Sequence, residues 1–218
     1  MLFSPEERQR YARQLDLPGF GTAAQERLRK GRVFVVGCGG LGSPALAYLA
    51  AAGVGTIGFA DGDIVDLSNL QRQILHSTSD IGRPKTESAE AHLRALNPHI
   101  TLQPHHARLT ADTARDILSP YDFVIDATDS FASKALVADI CAILGKPYVI
   151  GAIDAFSGHG DYSELIRYLS CQKGNKKLKK IFIVHGEGDV RVAYAKHLKE
   201  AGFKQAYVPM FRESIELV

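Results

Sequence analysis

The chain has no C-x-x-C pair: its three cysteines, Cys38, Cys141 and Cys171, are odd in number and widely spaced. That excludes a disulfide framework and a cysteine-built zinc site, so no structural zinc is expected. No apolar run approaches bilayer-spanning length, and the start, MLFSPEERQRYARQL, is charged from its sixth residue and lacks the apolar core of a secretion signal. No membrane association is expected, and the chain reads as cytoplasmic. A net charge of +2 gives no strong pull toward nucleic acid or lipid. Internal repeats and low-complexity tracts are absent as well. What remains is 218 residues with a 45% hydrophobic share, enough for one sizeable α/β domain or a domain with a small appendage.

The stretch Arg32 to Asp63 organises the rest. Val33 to Val36 is short, β-branched and unbroken, as in a strand covered on both faces. Gly37, Gly39 and Gly42 follow in a G-x-G-x-x-G pattern, where missing Cβ atoms permit a tight turn and a close approach of phosphate oxygens to backbone N–H groups. An alanine-rich helix comes next, with Ser43 expected as its cap, Pro44 in its first turn and Gly53 at its left-handed end. Its N-terminus carries positive partial charge toward the turn. A strand at Thr56 to Ala60 delivers Asp61 about twenty residues beyond the glycines, where a carboxylate takes ribose hydroxyls. This stretch binds a nucleotide; alone, it fits a dinucleotide more often than anything else.

Flanking patterns give the architecture. Helical periodicity at Ser4 to Arg13 and Thr22 to Lys30 surrounds a DLPGFG break, an N-terminal helical arm. A long polar connection after Asp61 holds one short helix near Asn69 to Gln73. Helices are predicted at Pro84 to Leu96, Ala111 to Leu118 and Phe131 to Leu144, and strands at Ile100 to Gln103, Asp122 to Ile125 and Pro147 to Ile150. The alternation implies an α/β fold with a doubly wound, mostly parallel, Rossmann-like sheet whose site lies at the strand C-termini. From Phe156 an αβαβ extension follows, which either continues the sheet or stands apart. The expected domains are 1–154 and 155–218.

The loops at that sheet edge change the choice of nucleotide. Ser68-Asn69-Leu70-Gln71-Arg72, Gly82-Arg83-Pro84-Lys85 and Asp126-Ala127-Thr128-Asp129 supply cations, amides and a carboxylate. Such a lining suits a triphosphate better than nicotinamide, which needs an open, mostly neutral slot. Plainer roles also fit: Asp61 capping a loop, Arg72 and Lys85 as surface charges, Asp129 capping the next helix.

With RYARQL, GCGGLGSPALAYLAAAGVG, D-x-D, SNLQRQ, GRPK, NPH and DATDS in order, residues from about Arg10 to Asp154 resemble the ThiF/MoeB/HesA family of ubiquitin-activating-type adenylyltransferases. The resemblance implies ATP-dependent adenylation of the C-terminal glycine of a small ubiquitin-like sulfur-carrier protein ending in Gly-Gly, of the molybdopterin or thiamine biosynthesis type. By that resemblance the nucleotide contacts are Gly37, Gly39, Gly40, Gly42, Asp61, Asp63, Ser68, Asn69, Leu70, Gln71, Arg72, Lys85, Asp129 and Ser130. Arg72 and Lys85 hold phosphates with Asn69, and Asp129 holds Mg2+. Arg13 reaches into a partner subunit's site, which implies a homodimer.

The family pattern breaks after Asp154. Its paired C-x-x-C motifs and catalytic-cysteine loop are missing, and Cys171 lacks a nucleophile's context. Phe156 to Val218 instead resembles the C-terminal segment of RNA-processing metallo-β-lactamase nucleases, through FSGHGDY, LIRYLSCQ, KKIFIVHGE, AYAKHLKEAGF and ESIELV. His159 and His185 match that family's zinc- or phosphate-binding histidines, but no H-x-H-x-D-H run accompanies them. RNA is not an expected partner, and the Lys173 to Lys180 lysines read as an exposed link. Two alternatives stay open: a nucleotide-binding scaffold without turnover, and an RNA-binding or nuclease remnant.

Overall fold

In a computed structural model the described residues are 3–151, 181–182, 188–200, 202–203 and 206–208. The chain divides into two compact units, Met1–Ile153 and Asp154–Val218. The readings of Cys171, His159, His185 and Lys173 to Lys180 lie outside the described residues.

The first unit opens with the arm α1 (Pro5–Arg10), α2 (Ala12–Leu15) and α3 (Gly21–Lys30). Ser4 and Glu7 form a reciprocal capping box at its start, with Pro5 in the first turn. The arm is fastened to helix ends. Tyr11 is buried and accepts a hydrogen bond from Asn97 Nδ2 at 2.8 Å, while Gln14 and Gln25 donate to the Ala52 carbonyl at 3.2 and 2.8 Å.

The sheet follows as β1 (Arg32–Val36), α4 (Gly42–Ala52), β2 (Thr56–Ala60), α5 (Lys85–Leu96), β3 (Thr101–His105), α6 (Ala111–Leu118), β4 (Phe123–Asp126), α7 (Phe131–Leu144) and β5 (Tyr148–Ile150). All pairings are parallel, in the order β3-β2-β1-β4-β5. Period-two alternation sends neighbouring residues of β1 to opposite faces. Val35 packs with Leu46, Ile57 and Leu93 on one side; Phe34 and Val36 pack with Leu118, Val124, Val137 and Cys141 on the other. The sheet is therefore covered on both faces, as its unbroken apolar strands require. Strand order reverses between β1 and β4, which opens a crevice at their C-terminal ends.

Helix ends follow the punctuation in the sequence. Gly53 and Gly145 close α4 and α7 with φ of 82° and 66°. Two local expectations fail. Ser43 is not the cap of α4, which starts one residue earlier at Gly42 behind Leu41. The short helix expected at Asn69 to Gln73 is instead a 3-10 turn at Leu67–Asn69, with a second at Thr78–Asp80.

In the second unit β6 (Ile181–Phe182) and β7 (Ala206–Tyr207) pair in parallel, with α8 (Gly188–Glu200) between them in the chain. Leu198 and Phe203 are buried there.

Candidate functional site

The glycine turn joins β1 to α4. Gly37 has a φ of 98°, and a Cβ there would lie 3.0 Å from the Ala127 carbonyl oxygen. A Cβ at Gly42 would lie 1.9 Å from the Gly37 carbonyl oxygen, so α4 begins directly over the strand end. The Ser43 hydroxyl turns inward and donates to the Cys38 carbonyl at 3.3 Å, which explains why it does not cap. Among the described residues no acceptor meets the N–H groups of Gly39, Gly40 or Leu41. Three donors at the head of an 11-residue helix make an anion site.

Asp61 sits at the end of β2 beside this turn. Its Oδ2 accepts from the Cys38 N–H and its Oδ1 from the Asp63 N–H, both at 2.8 Å. The carboxylate is thereby held at the crevice wall with lone pairs to spare. Asp63 behaves differently. Its Oδ1 accepts from Arg108 at 2.8 Å and its Oδ2 from Lys85 at 3.3 Å. Arg108 first, then Lys85, hold the Asp63 carboxyl below the usual carboxylate range. Asp63 thus braces two cations, one exposed and one buried at the first residue of α5.

The loop between β2 and α5 brings Arg72 to the turn. Asp66 accepts from the N–H and hydroxyl of Ser68 at 2.8 and 2.5 Å, which starts the first 3-10 turn. Asn69 Oδ1 accepts from Gln73 Nε2 at 2.8 Å and from Arg72 at 3.3 Å. Arg72 then lies across Gly40, its Cγ 3.4 Å from where a Cβ would stand. Gln73 is buried next to Gly39, with its Oε1 unpartnered. Ser68 and Asn69 brace this loop; Leu70 donates its N–H to the Leu67 carbonyl, and Gln71 is exposed.

Across the crevice, β4 ends in the fully buried Asp126. Its Oδ1 accepts from the Thr128 N–H and hydroxyl at 2.9 and 2.7 Å and lies 3.8 Å from Lys134 Nζ; its Oδ2 has no hydrogen-bond partner. Lys134 donates to the carbonyls of Thr128 and Gly151, and burial holds its ammonium below the ordinary lysine range. Asp129 is exposed and lies close enough to Arg108 and Lys134 to act on both electrostatically. Ser130 caps α7, accepting from the Ser133 N–H at 3.4 Å.

Gly37, Gly39, Gly40, Gly42, Asp61, Arg72 and Asn69 are therefore brought together, with Asp63 and Lys85 behind them and Asp129 at the opposite lip. Arg13 is not among them. It is exposed on α2, whose Gln14 is tied to the far end of α4, about 16 Å along that helix from the turn. Gln73, His76, Arg108 and Lys134 belong to the site or its walls and escaped the sequence reading. Lys134 lies within the DSFASK run and Gln73 within SNLQRQ, so both were visible as residues but not as site members. Arg108 carries no motif; only folding places it on Asp63, 45 residues away. Among the described residues there is no group of three or more His, Cys, Asp or Glu side chains able to hold a metal. No helix of the described residues is long and apolar enough to cross a membrane.

Comparison with known proteins follows the same division. The model of the ThiF family matches residues 11–167, and that of the Zn-dependent metallo-hydrolase RNA specificity domain matches residues 148–209. The chain is 50% identical over 155 residues to the probable adenylyltransferase/sulfurtransferase MoeZ of Mycobacterium tuberculosis, covering 71% of this chain and 40% of that protein. It is 49% identical over 158 residues to the sulfur carrier protein adenylyltransferase of Thermus thermophilus, covering 72% and 58%. It thus spans roughly half the length of such relatives. Among solved structures, E. coli tRNA N6-threonylcarbamoyladenosine dehydratase in complex with ATP matches with a TM-score of 0.66 at 32% identity, over 71% of this chain and 65% of that one.

Proposed function

The chain belongs to the ThiF family, and from that premise we propose that it adenylates the C-terminal glycine of a small ubiquitin-like sulfur-carrier protein, using ATP. The observation that carries this reading is the glycine turn: three N–H groups without acceptors at the head of α4, Arg72 laid across Gly40, and Asp61 fastened alongside. The relatives named for adenylyl transfer and the ATP-bound structural relative support it.

In the reaction a carrier carboxylate oxygen bonds to the α-phosphorus as the bond from that phosphorus to the bridging oxygen breaks, releasing pyrophosphate. The nucleophile is already ionised and the leaving group is good, so little acid-base work is needed and positioning dominates. Attack brings anions together. The free N–H groups of the turn, Arg72 and Lys85 hold phosphate oxygens and stabilise charge building on the pyrophosphate, while Asn69 keeps Arg72 in place. Asp61 accepts from ribose hydroxyls with its remaining lone pairs.

Magnesium fits at Asp129. The carboxylate there is exposed at the crevice lip and offers hard oxygen donors, and this ion needs only one or two protein carboxylates besides phosphate and water. When bound it neutralises phosphate charge. Arg13, distant from its own turn, is assigned to the site of a second copy in a homodimer, and the setting is cytoplasmic.

ATP–pyrophosphate exchange tests the proposal: exchange should require magnesium and a carrier ending in Gly-Gly. A second reading, a nucleotide-binding scaffold without turnover, is favoured by the RNA specificity domain matched to residues 148–209. ATP binding with no exchange in the presence of a sulfur-carrier protein ending in Gly-Gly would select it.

A further inference from the structure

His76 is buried beneath the glycine turn, 6% exposed, and the adenylation chemistry makes no use of it. Both ring nitrogens are engaged. Nε2 lies 3.0 Å from the Cys38 carbonyl oxygen, and Nδ1 lies 2.9 Å from the Ser88 hydroxyl on α5. A carbonyl can only accept, so Nε2 carries the hydrogen. Burial holds the imidazole below its ordinary range, which favours the neutral ring. Nδ1 is then the acceptor, and Ser88 donates to it. The Cys38 carbonyl therefore fixes the tautomer, and Ser88, whose hydroxyl can serve either way, adapts to it and braces the other ring nitrogen.

The consequence lies in the next peptide unit. The Cys38 carbonyl and the Gly39 N–H belong to one planar trans peptide, in which the two groups point in opposite directions. Holding the carbonyl toward His76 therefore aims the Gly39 N–H away from it. The Cys38 N–H is separately tied to Asp61 Oδ2 at 2.8 Å. The same carbonyl accepts a longer bond from the Ser43 hydroxyl at 3.3 Å, so His76, at 3.0 Å, is the closer of the two donors that keep this peptide from rotating beside a glycine.

Resting on the ATP reading above, we propose that His76 is a positioning residue for the nucleotide: acting through the Cys38 carbonyl, it presets the Gly39 N–H for a phosphate oxygen of ATP. His76 need not touch the nucleotide to do so. The role also accounts for a buried histidine whose two partners come from the glycine turn and from α5.

The test uses the full chain and ATP with magnesium as the probe. Titration calorimetry should give an affinity for His76→Leu about tenfold weaker than for the wild type, the scale of one buried hydrogen bond. His76→Gln, whose amide N–H can meet the Cys38 carbonyl, should restore affinity to within about threefold on the same scale. Nitrogen-15 spectra of the nucleotide-free protein should show a hydrogen on Nε2 and none on Nδ1. Wild-type affinity in His76→Leu, a hydrogen on Nδ1 of the neutral ring, or a well-folded His76→Gln as weak as His76→Leu would overturn the inference. If His76→Leu does not fold, His76→Phe decides: it keeps a ring of similar volume but has no donor for the Cys38 carbonyl, and undiminished ATP affinity would count against the role. A wild type that binds no ATP refutes the adenylation reading itself, a distinct outcome that takes this role with it.

Discussion

Two alanine substitutions two residues apart should separate what the glycine turn does for the fold from what it does for the ligand. At Gly42 the new Cβ would stand 1.9 Å from the Gly37 carbonyl oxygen and 2.7 Å from its carbon, both backbone atoms. Ordinary contact needs about 3.4 Å or more, so the first turn of α4 must retreat by about 1.5 Å from the end of β1. No side-chain rotation can absorb that. Overpacking of a rigid site costs typically 1–3 kcal/mol, and the upper end, about 3 kcal/mol, applies where backbone meets backbone. For a chain of this size that lowers the melting temperature by roughly 6–12 °C, and it abolishes ATP binding by dispersing the N–H groups. At Gly40 the nearest atom to an added Cβ is Arg72 Cγ at 3.4 Å, on an exposed and adaptable side chain. Gly40→Ala should melt within about 2 °C of the wild type, yet bind ATP about tenfold more weakly, because the new methyl group obstructs the close approach of a phosphate oxygen to the N–H groups of the turn. Thermal denaturation followed by circular dichroism, with calorimetric ATP titration, reads both. A Gly42→Ala protein as stable as the wild type, or a Gly40→Ala protein with undiminished affinity, would refute the geometry.

Arg72→Ala should lower ATP–pyrophosphate exchange by about 10² or more, the scale of one charge-assisted contact in a transition state, without changing the melting temperature. Asp129→Ala should abolish exchange and leave the fold intact; full exchange at ordinary magnesium would remove its assignment. Asp63 titrates below its unfolded value of about 3.9 because Arg108 and Lys85 stabilise the carboxylate. Its contribution to stability is therefore complete above that pH and is lost as pH falls through the depressed native value. Melting temperatures followed from about pH 5 downward should fall less steeply in Asp63→Asn than in the wild type; parallel curves would contradict this. His76, also depressed in the native state, contributes stability that is full above about pH 6.5 and declines as pH falls through its native value. His76→Gln should flatten that part of the curve.

Most of the sheet was legible because short unbroken apolar runs alternate with stretches of helical periodicity. Thr56–Ala60, Ala111–Leu118 and Phe131–Leu144 fall where the apolar runs and helical periodicity placed them. The parallel doubly wound order follows from the βαβ alternation. The misplaced cap at Ser43 has a tertiary cause. Its hydroxyl is drawn to the Cys38 carbonyl, a bond that exists only once the turn has folded back over β1. The helix expected at Asn69 to Gln73 fails because Asp66, three residues upstream of Asn69, captures Ser68 and starts a tighter turn earlier. At the site, glycines and Asp61 announce themselves by spacing. Arg108 and His76 do not, since the contacts that give them meaning join residues 45 and 38 positions apart. The two carboxylates of D-x-D part on folding, Asp61 facing the turn and Asp63 bracing Lys85 and Arg108, a division that sequence spacing does not show.

The most direct test of the account is the mass of the acceptor. Incubated with this chain, ATP and magnesium, a sulfur-carrier protein ending in Gly-Gly should gain the mass of one AMP at its C-terminus, and the same carrier lacking its last glycine should gain nothing. A carrier recovered unmodified while the chain demonstrably holds ATP, or an AMP adduct that forms equally on the truncated carrier, would contradict it.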